Sequence, residues 1–400
     1  MTMTTRRHHR PGSAAAAGVF AIGMAGTTLP TPLYGLYRHQ LGFSELVVTV
    51  VFATYAVGVI AVLALAGNLS DHTGRRPVLF AGLALSAASA LCFLLEGGLP
   101  LLLLGRLLSG FAAGLFSGAA TAAVLELARP GRESRAGFAA TAANMGGLGC
   151  GPLLSGVLAQ YAPHPLALPF LVHLALLAVA AGLTWLLPET VADPHLPRSP
   201  RPQRLRVPPE VRPVFTPAAV AAFAGFALLG LFTAVAPSFV AQTLGVGNLA
   251  VSGAIVCSVF AGSTLGQALT GRLGARAALP AGCLVLVAGL LLVGASLAAT
   301  ALPLLVAGAV CGGTGQGLAF RAGLTAVGAA APEQHRGGTL SAFFLVAYLG
   351  ISLPVVGVGA LTQGLGLRGA GLTFAGCVIA VAVAVGGYVL RRPLPAERPA

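Results

Sequence analysis

The chain has 400 residues, of which 56% are hydrophobic and only 8% are charged, and its mean hydropathy is +0.89. A water-soluble domain of this size cannot cover its surface with so few charged residues, so the composition excludes a soluble protein. Apolar runs of about twenty residues recur along the chain, which is the length that a helix needs to cross a bilayer. The sequence therefore predicts an all-α integral membrane protein.

The net charge is +13 at pH 7, and all of the basic residues are arginines. In a soluble protein this balance would indicate a nucleic-acid partner, but here most arginines lie in alternate connections between apolar runs. These connections include residues 1–12, the turn at 67–76 and the segment 188–214. By the positive-inside rule we expect a multi-pass protein of the cytoplasmic membrane with both termini in the cytoplasm and no nucleic-acid partner.

Twelve apolar runs predict twelve transmembrane helices. In chain order they cover residues 13–36, 46–66, 78–95, 99–125, 136–160, 166–187, 218–240, 250–269, 278–297, 302–327, 340–361 and 372–390. Pro30 and Pro32 should break the hydrogen bonding of the first helix. The segment 188–214 is rich in proline and arginine and is too polar to cross a membrane. We expect it to link a six-helix bundle at 1–187 to a second one at 215–400.

A weak internal repeat relates the two predicted bundles. A shift of 200 residues places 269–276 on 69–76 and preserves a leucine, a glycine and the last arginine, while Gly271 replaces the aspartate. Parallel repeats of this kind indicate two bundles related by an axis along the membrane normal, with a binding site between them near mid-membrane.

The turn between the second and third runs carries the most informative residues. Gly67 and Gly74 suit a tight turn with close backbone approach and a positive φ angle, and Asp71 is placed to accept from the free N–H groups of the next helix. Arg75 and Arg76 can pair with acids on a neighbouring helix. The pattern G-x-L-x-D-x-x-G-R-R at 67–76 resembles the loop signature of the major facilitator superfamily. That resemblance implies a membrane transporter of twelve helices in two pseudo-symmetric six-helix bundles.

A second resemblance concerns the end of the fourth run. Glu126, followed by Arg135 across the next loop, matches the acid-then-arginine spacing of the same superfamily. The resemblance implies that Glu126 and Asp71 pair with Arg75, Arg76 and Arg135. These pairs would form a conformational latch on the cytoplasmic side.

The fifth run contains four residues that resemble the motif associated with drug–proton antiporters, namely Gly147, Gly151, Pro152 and Gly156. Ser155 stands where the family has another glycine. Small residues allow close helix packing, and Pro152 should bend the helix and free a carbonyl group. The alternative is that these glycines serve packing alone.

Polar residues within the apolar runs are candidates for a substrate cavity, because the bilayer penalises them. Arg106 also lies in a stretch that resembles the superfamily's arginine signature. The predicted cavity residues are Thr27, Thr28, Thr31, Tyr55, Arg106, Asn144, Thr233, Gln316 and Tyr348. For the threonines the alternative is a hydrogen bond to their own helix, and for the two amides it is a bond between helices. Arg321, near a helix end, is interpreted as extending to the membrane surface.

No Asp or Glu lies in the middle of a predicted span. The residues left to carry a coupling proton are Glu126 and His173, because histidine titrates near neutrality. The alternative for His173 is a neutral imidazole hydrogen-bonded between two helices.

We therefore expect a secondary transporter that works by alternating access and exports drug-like or partly apolar compounds in exchange for protons. The alternative is an uptake carrier or uniporter for a sugar or an organic acid, which the lack of a mid-span acid also fits. The expected partners are the small-molecule substrate, the lipid bilayer and protons, and the chain should act as a monomer. The six cysteines lie scattered in apolar runs, so we expect no metal, no cofactor and no enzyme activity.

Overall fold

The computed structural model describes residues 12–67, 69–95, 97–192 and 205–392. Within these ranges the chain is helical with short connections, and no strand occurs in them. The arginines predicted before residue 12 and after residue 392 lie outside the described residues. So does most of the predicted linker, at 193–204.

The first half of the chain contains six long helices. They are α1 (Ser13–Leu41), α2 (Glu45–Ala66), α3 (Arg75–Leu94), α4 (Gly98–Glu126), α5 (Glu133–Tyr161) and α6 (Leu168–Leu186). The regular part of α1 ends at Thr28, and a 3₁₀ turn at Thr31–Leu33 separates it from the last segment, Tyr34–Leu41. The break predicted at Pro30 and Pro32 is confirmed, because neither proline can donate a backbone hydrogen bond.

The second half contains α7 (Pro209–Thr243), α8 (Leu249–Leu273), α9 (Ala275–Ala299), α10 (Leu302–Ala330) and the stretch Glu333–Arg391. That stretch is two helices, α11 at 333–365 and α12 at 367–391, because Gly366 has a φ of 67°. In α7 two π-helical turns, Leu231–Val235 and Phe239–Thr243, flank Ala236–Ser238. Pro237 interrupts the regular hydrogen bonding there.

Ten helical stretches of the described ranges are long and apolar enough to cross a membrane, with α11 and α12 counted together. Helix α5 is not among them, although it has 29 residues, because glycines and polar residues dilute its hydrophobicity. The all-α membrane fold is thus confirmed, whereas the count of twelve spans and the bundle boundaries stay predictions.

The two halves repeat one packing scheme. Helix α4 packs on α1, α2 and α3, as α10 packs on α7, α8 and α9. Across the halves α5 packs on α8 and α2 on α11. Glycines permit close backbone approach within a half, since a Cβ atom on Gly58 would lie 2.5 Å from the carbonyl oxygen of Leu107.

Helix α2 starts at Glu45 and ends shortly before Asp71, so these residues define opposite faces of the molecule. The Asp71 face carries the turn at 69–76, the end of α4 and the start of α5. The Glu45 face carries the end of α5 and the start of α8, which are joined by a hydrogen bond of 3.2 Å from Asn248 Nδ2 to the Tyr161 hydroxyl.

Candidate functional site

A cavity of about 580 Å³ lies between the two halves and has the size of a drug-binding pocket. Its lining runs from Arg106 in α4 to Leu125 and Gly137 on the Asp71 face. On the second half it reaches Thr325 and Leu340 at the same face. The cavity therefore extends from mid-membrane to the Asp71 face.

At the Glu45 face, polar contacts join the two halves. The Glu45 carboxylate pairs with Arg38 of its own half and accepts hydrogen bonds from Ser238 Oγ (3.1 Å) and Gln242 Nε2 (2.8 Å) on α7. The backbone N–H of Leu249 donates to the side chain of Gln160 at 2.8 Å. These contacts close the Glu45 face. At the other end the lining includes the exposed Leu125, so the cavity is accessible from the Asp71 face.

Most of the predicted cavity residues line this cavity, namely Thr27, Thr28, Tyr55, Arg106, Asn144, Thr233 and Tyr348. Thr31 and Gln316 are buried but are not among its lining residues. Gln316 accepts a hydrogen bond of 2.6 Å from Ser263 Oγ, which joins α10 to α8. The alternative assigned to the amides, a bond between helices, thus describes the geometry of Gln316.

The hydroxyls of Thr27 and Thr233 bond to their own helices, whereas that of Thr28 donates to the carbonyl oxygen of Leu148 on α5. Thr27 Oγ1 donates to the carbonyl oxygen of Met24, and Thr233 Oγ1 donates to that of Leu229, both at 2.8 Å. These hydroxyls keep their acceptor capacity for a ligand, while their donor hydrogens are already used.

Arg106 is 1% exposed and lies at the closed end of the cavity. Its Nη1 donates to the carbonyl oxygen of Thr27 at 2.5 Å and its Nη2 to that of Phe52 at 3.5 Å. Its guanidinium carbon lies 4.9 Å from the ring centroid of Tyr55 and 5.3 Å from that of Phe52. Carbonyl dipoles and aromatic faces therefore stabilise this buried cation, and no described carboxylate pairs with it.

Aromatic rings form a continuous wall of the cavity. The Tyr348 ring centroid lies 6.1 Å from that of Tyr55 across the two halves and 5.9 Å from that of Phe226. Phe320 lies 5.1 Å from Phe226 and 5.9 Å from Phe344, measured between centroids. The three phenylalanines could not be predicted from the sequence, because phenylalanine is common in membrane helices and does not reveal which side of the helix it lies on.

Arg321 also lines the cavity, so the interpretation that it extends to the membrane surface is corrected. Its Nη1 donates to Thr141 Oγ1 on α5 at 3.3 Å, across the interface between the halves. The side chain is exposed to the cavity. The lining contains two arginines and, among the described residues, no Asp or Glu.

The charged turn on the Asp71 face is centred on Arg75. Its guanidinium donates to Asp71 Oδ1 at 2.5 Å, to Ser70 Oγ at 2.7 Å and to Glu126 Oε1 at 2.7 Å. Thr190 Oγ1 donates to the other oxygen of Glu126 at 2.5 Å. Asp71, Arg75 and Glu126 thus form one network that joins the turn to the end of α4.

The other predicted members of the latch are placed differently. Arg76 Nη2 donates to the carbonyl oxygen of Trp185 at 2.8 Å rather than to an acid. Within the described residues Arg135 makes no ion pair with Asp71 or Glu126. Gly67 ends α2 with helical dihedrals, so it does not need the positive φ expected of it.

Glu189, which follows α6, caps α3. Its carboxylate accepts from the backbone N–H groups of Arg75 (2.8 Å) and Arg76 (3.0 Å), a role that the sequence analysis assigned to Asp71. Burial alone would raise the pKa of Glu189, but the backbone hydrogen bonds outweigh it and the pKa is lowered. Gly74 has a φ of 98°, and a Cβ atom there would lie 2.6 Å from Glu189 Oε2, so both backbone and space require glycine.

The motif glycines of α5 pack against two different helices. Gly147 and Gly151 pack against the backbone of α1, whereas Gly156 packs against Leu249 at the start of α8. Pro152 lies inside the helix between them. The motif therefore brings α5 close both to its own half and to the other half.

His173 is buried between α6 and α3, and its Nε2 lies 3.3 Å from Ser86 Oγ. It is not among the residues that line the cavity. This placement fits the alternative given for it, a neutral imidazole between helices.

A membrane-embedded helical protein with a cavity between two repeated halves, open to one face and closed to the other, has the architecture of a transporter. The chain belongs to the Major Facilitator Superfamily, whose family model matches residues 15–293.

Two curated relatives match part of the chain. The tetracycline resistance protein, class D, of Salmonella ordonez is 36% identical over 124 residues, which are 31% of this chain and 30% of that protein. The tetracycline resistance protein, class B, of Escherichia coli is 31% identical over 146 residues, 36% of this chain and 35% of that protein. The matched segments therefore span about a third of these relatives.

Solved structures resemble the whole fold. A bacterial homologue of the human lysosomal transporter Spinster, in an inward-facing and unoccupied conformation, gives a TM-score of 0.71 at 15% identity, over 95% of this chain and 96% of that one. A POT family transporter in complex with 5-aminolevulinic acid gives 0.76 at 13% identity, over 95% of both chains. At these identities the likeness concerns the fold alone.

Proposed function

We propose that this transporter exports a small, partly apolar molecule across the cytoplasmic membrane in exchange for protons. The observation that carries the proposal is the aromatic-walled cavity, which is open at the Asp71 face and closed at the Glu45 face. Its apolar wall suits an apolar molecule, and its polar end suits a polar group on that molecule. The partial similarity to two tetracycline resistance proteins and the α5 motif favour export.

Alternating access would follow from rocking of the two halves at the α5–α8 and α2–α11 interfaces. Closure of the Asp71 face would enclose the substrate, and separation of Glu45 from Ser238 and Gln242 would release it. The Asp71–Arg75–Glu126 network is the proposed latch, since it holds the end of α2, the start of α3 and the end of α4 together.

Of the two predicted coupling residues, Glu126 is the better supported. Its side chain is 38% exposed on the Asp71 face and pairs with Arg75, so protonation would weaken the latch. His173 has neither an acidic partner among the described residues nor a place in the cavity lining.

The second candidate function is uncoupled movement of a sugar or an organic acid. The observation in its favour is the cavity lining, which contains no Asp or Glu among the described residues. A carrier without such a group has no carboxylate in its substrate site to bind the counter-transported proton.

Inverted membrane vesicles, with the Asp71 face outward, separate the two candidates. We expect the wild-type protein to accumulate partly apolar compounds, tetracycline included, when the vesicle interior is acidified, and to lose them when a protonophore is added. Protein-dependent entry that stops at equal concentrations inside and outside, and does not depend on the pH gradient, would favour the uncoupled carrier. Accumulation no greater than in vesicles without the protein, for every compound of the panel, would reject export.

A further inference from the structure

We propose that the cavity selects molecules that carry an acidic group, with Arg106 and Arg321 as its two cationic contacts. This inference rests on the proposed function only in placing the substrate in the cavity between the halves. Each half supplies one arginine, Arg106 from α4 and Arg321 from α10. Since no Asp or Glu of the described residues lines the cavity, nothing there neutralises the two charges.

The environment of Arg106 favours a bound anion. A buried cation without a counter-ion loses the free energy of its hydration, which carbonyl dipoles and aromatic rings recover only in part. The Nε of Arg106 is buried and has no hydrogen-bond partner in the described part of the chain. An anionic group at this end of the cavity would supply the counter-ion that Arg106 lacks among the described residues.

Arg321 faces the same cavity from the other half. Its hydrogen bond to Thr141 uses one of the five N–H donors of the guanidinium group. Arg321 is exposed and lines the cavity, and its planar guanidinium group can bind a carboxylate through two hydrogen bonds. Arg321 is therefore the residue of the second half that can bind an acidic group.

The other lining residues indicate the chemistry of the rest of the substrate molecule. The wall of Phe226, Phe320, Phe344 and Tyr348 fits an aromatic or flat apolar body. Asn144 Oδ1 is a buried acceptor without a partner in the described residues, so it can accept from an N–H or O–H group. The substrate class that this lining fits is an aromatic organic acid of drug size.

The test compares an acid with neutral molecules of the same shape. Binding of 1-naphthylacetate, its methyl ester and its amide to the purified full-length protein is measured at pH 7 by calorimetry. We expect the acid to bind about tenfold more tightly than either neutral molecule. R321Q should reduce this preference by lowering the affinity for the acid alone, since Arg106 remains, and R321K should keep most of it. R272Q, at the end of α8 outside the cavity, should change neither affinity.

Equal affinity of the wild type for acid and ester would overturn the inference, as would absence of measurable binding of the acid. An equal loss of affinity for acid and ester in R321Q would also overturn it, because it would indicate a structural effect of the substitution. Flux measured in vesicles separates a failure of this inference from a failure of the proposed function. An acid that binds through Arg321 but is not moved outward contradicts export alone, whereas export of neutral compounds without preference for acids contradicts the acid selectivity alone.

Discussion

The hydroxyl group of Thr28 on α1 donates a hydrogen bond of 2.7 Å to the carbonyl oxygen of Leu148 on α5. Leu148 precedes Pro152 by four residues, so this carbonyl is the one for which Pro152 has no N–H to offer. A bare carbonyl within a bilayer is costly because no water is available to satisfy it. Thr28 therefore stabilises the proline-containing part of α5 and fixes it to α1.

Removal of this hydroxyl should destabilise the protein only while Pro152 is present. We expect Thr28→Val to lower the free energy of unfolding by about 1 kcal/mol, and Thr28→Ser to have a smaller effect. In the Pro152→Ala background the carbonyl regains a partner within its helix, so the effect of Thr28→Val should shrink. Chemical unfolding of all four members of the cycle measures this coupling, and strictly additive changes would contradict it.

Asp71→Asn should abolish transport while the protein remains folded in the membrane. The substitution weakens the 2.5 Å pair with Arg75, and exposed pairs contribute only about 0–1 kcal/mol to stability. The control is Glu133→Gln, since Glu133, at the start of α5, accepts from the nearby backbone N–H of Gly131 and does not belong to the Arg75 network. Flux in vesicles and membrane abundance are measured together. Normal flux through the Asp71 variant would exclude the latch role.

Glu189 should give the protein a pH-dependent share of its stability. Because the folded-state pKa of Glu189 is lowered, its contribution is present above the unfolded pKa of about 4.3 and is lost as pH falls through the folded value. We expect Glu189→Gln to cost about 1 kcal/mol at pH 7, the usual size of a lost helix cap, and the difference from wild type to disappear in acid.

Thermal unfolding of the purified protein as a function of pH measures this difference. Glu210→Gln serves as the control, because Glu210 lies on the surface at the start of α7. A stability difference for Glu189→Gln that persists unchanged to the lowest pH would contradict the capping role.

Glu45→Gln should loosen the closed Glu45 face. The substitution preserves shape, but it removes the charge that pairs with Arg38 and weakens the contacts to α7. Spin labels at His39 and Gly247, exposed positions of the two halves at this face, report the distance between them in a cysteine-free background. We expect longer distances to gain population in the variant. An unchanged distance distribution would mean that Glu45 does not hold this face closed.

The sequence predicted the helices better than it predicted their irregularities. Long apolar runs locate spans because the bilayer requires them, and the break at Pro30 follows from proline chemistry. The π-helical turns around Pro237 were missed, since many prolines in this chain lie within continuous helices. The effect of such a proline depends on neighbouring helices that a single sequence does not display. The division at Gly366 does fall in the predicted gap between the runs at 340–361 and 372–390.

The candidate site was predictable where its residues are close in sequence. Asp71 and Arg75 are four residues apart, so their pairing follows from local geometry, whereas Glu189 reaches Arg76 across 113 residues. The three phenylalanines of the aromatic wall and the cavity position of Arg321 were missed for another reason. Lipid and protein interior are both apolar, so hydrophobic periodicity does not reveal which side of a membrane helix faces a cavity.

The central claim is that one cavity becomes accessible from both faces of the membrane in turn. The most direct measurement is the labelling of Thr121→Cys, a cavity position on α4, by a membrane-impermeant thiol reagent in a cysteine-free background. Labelling is compared between inverted and right-side-out vesicles. We predict labelling from both faces, faster from the Asp71 face, and blocked from the Glu45 face when the halves are cross-linked at that face. Labelling from the Asp71 face alone, with and without substrate and a pH gradient, would contradict alternating access.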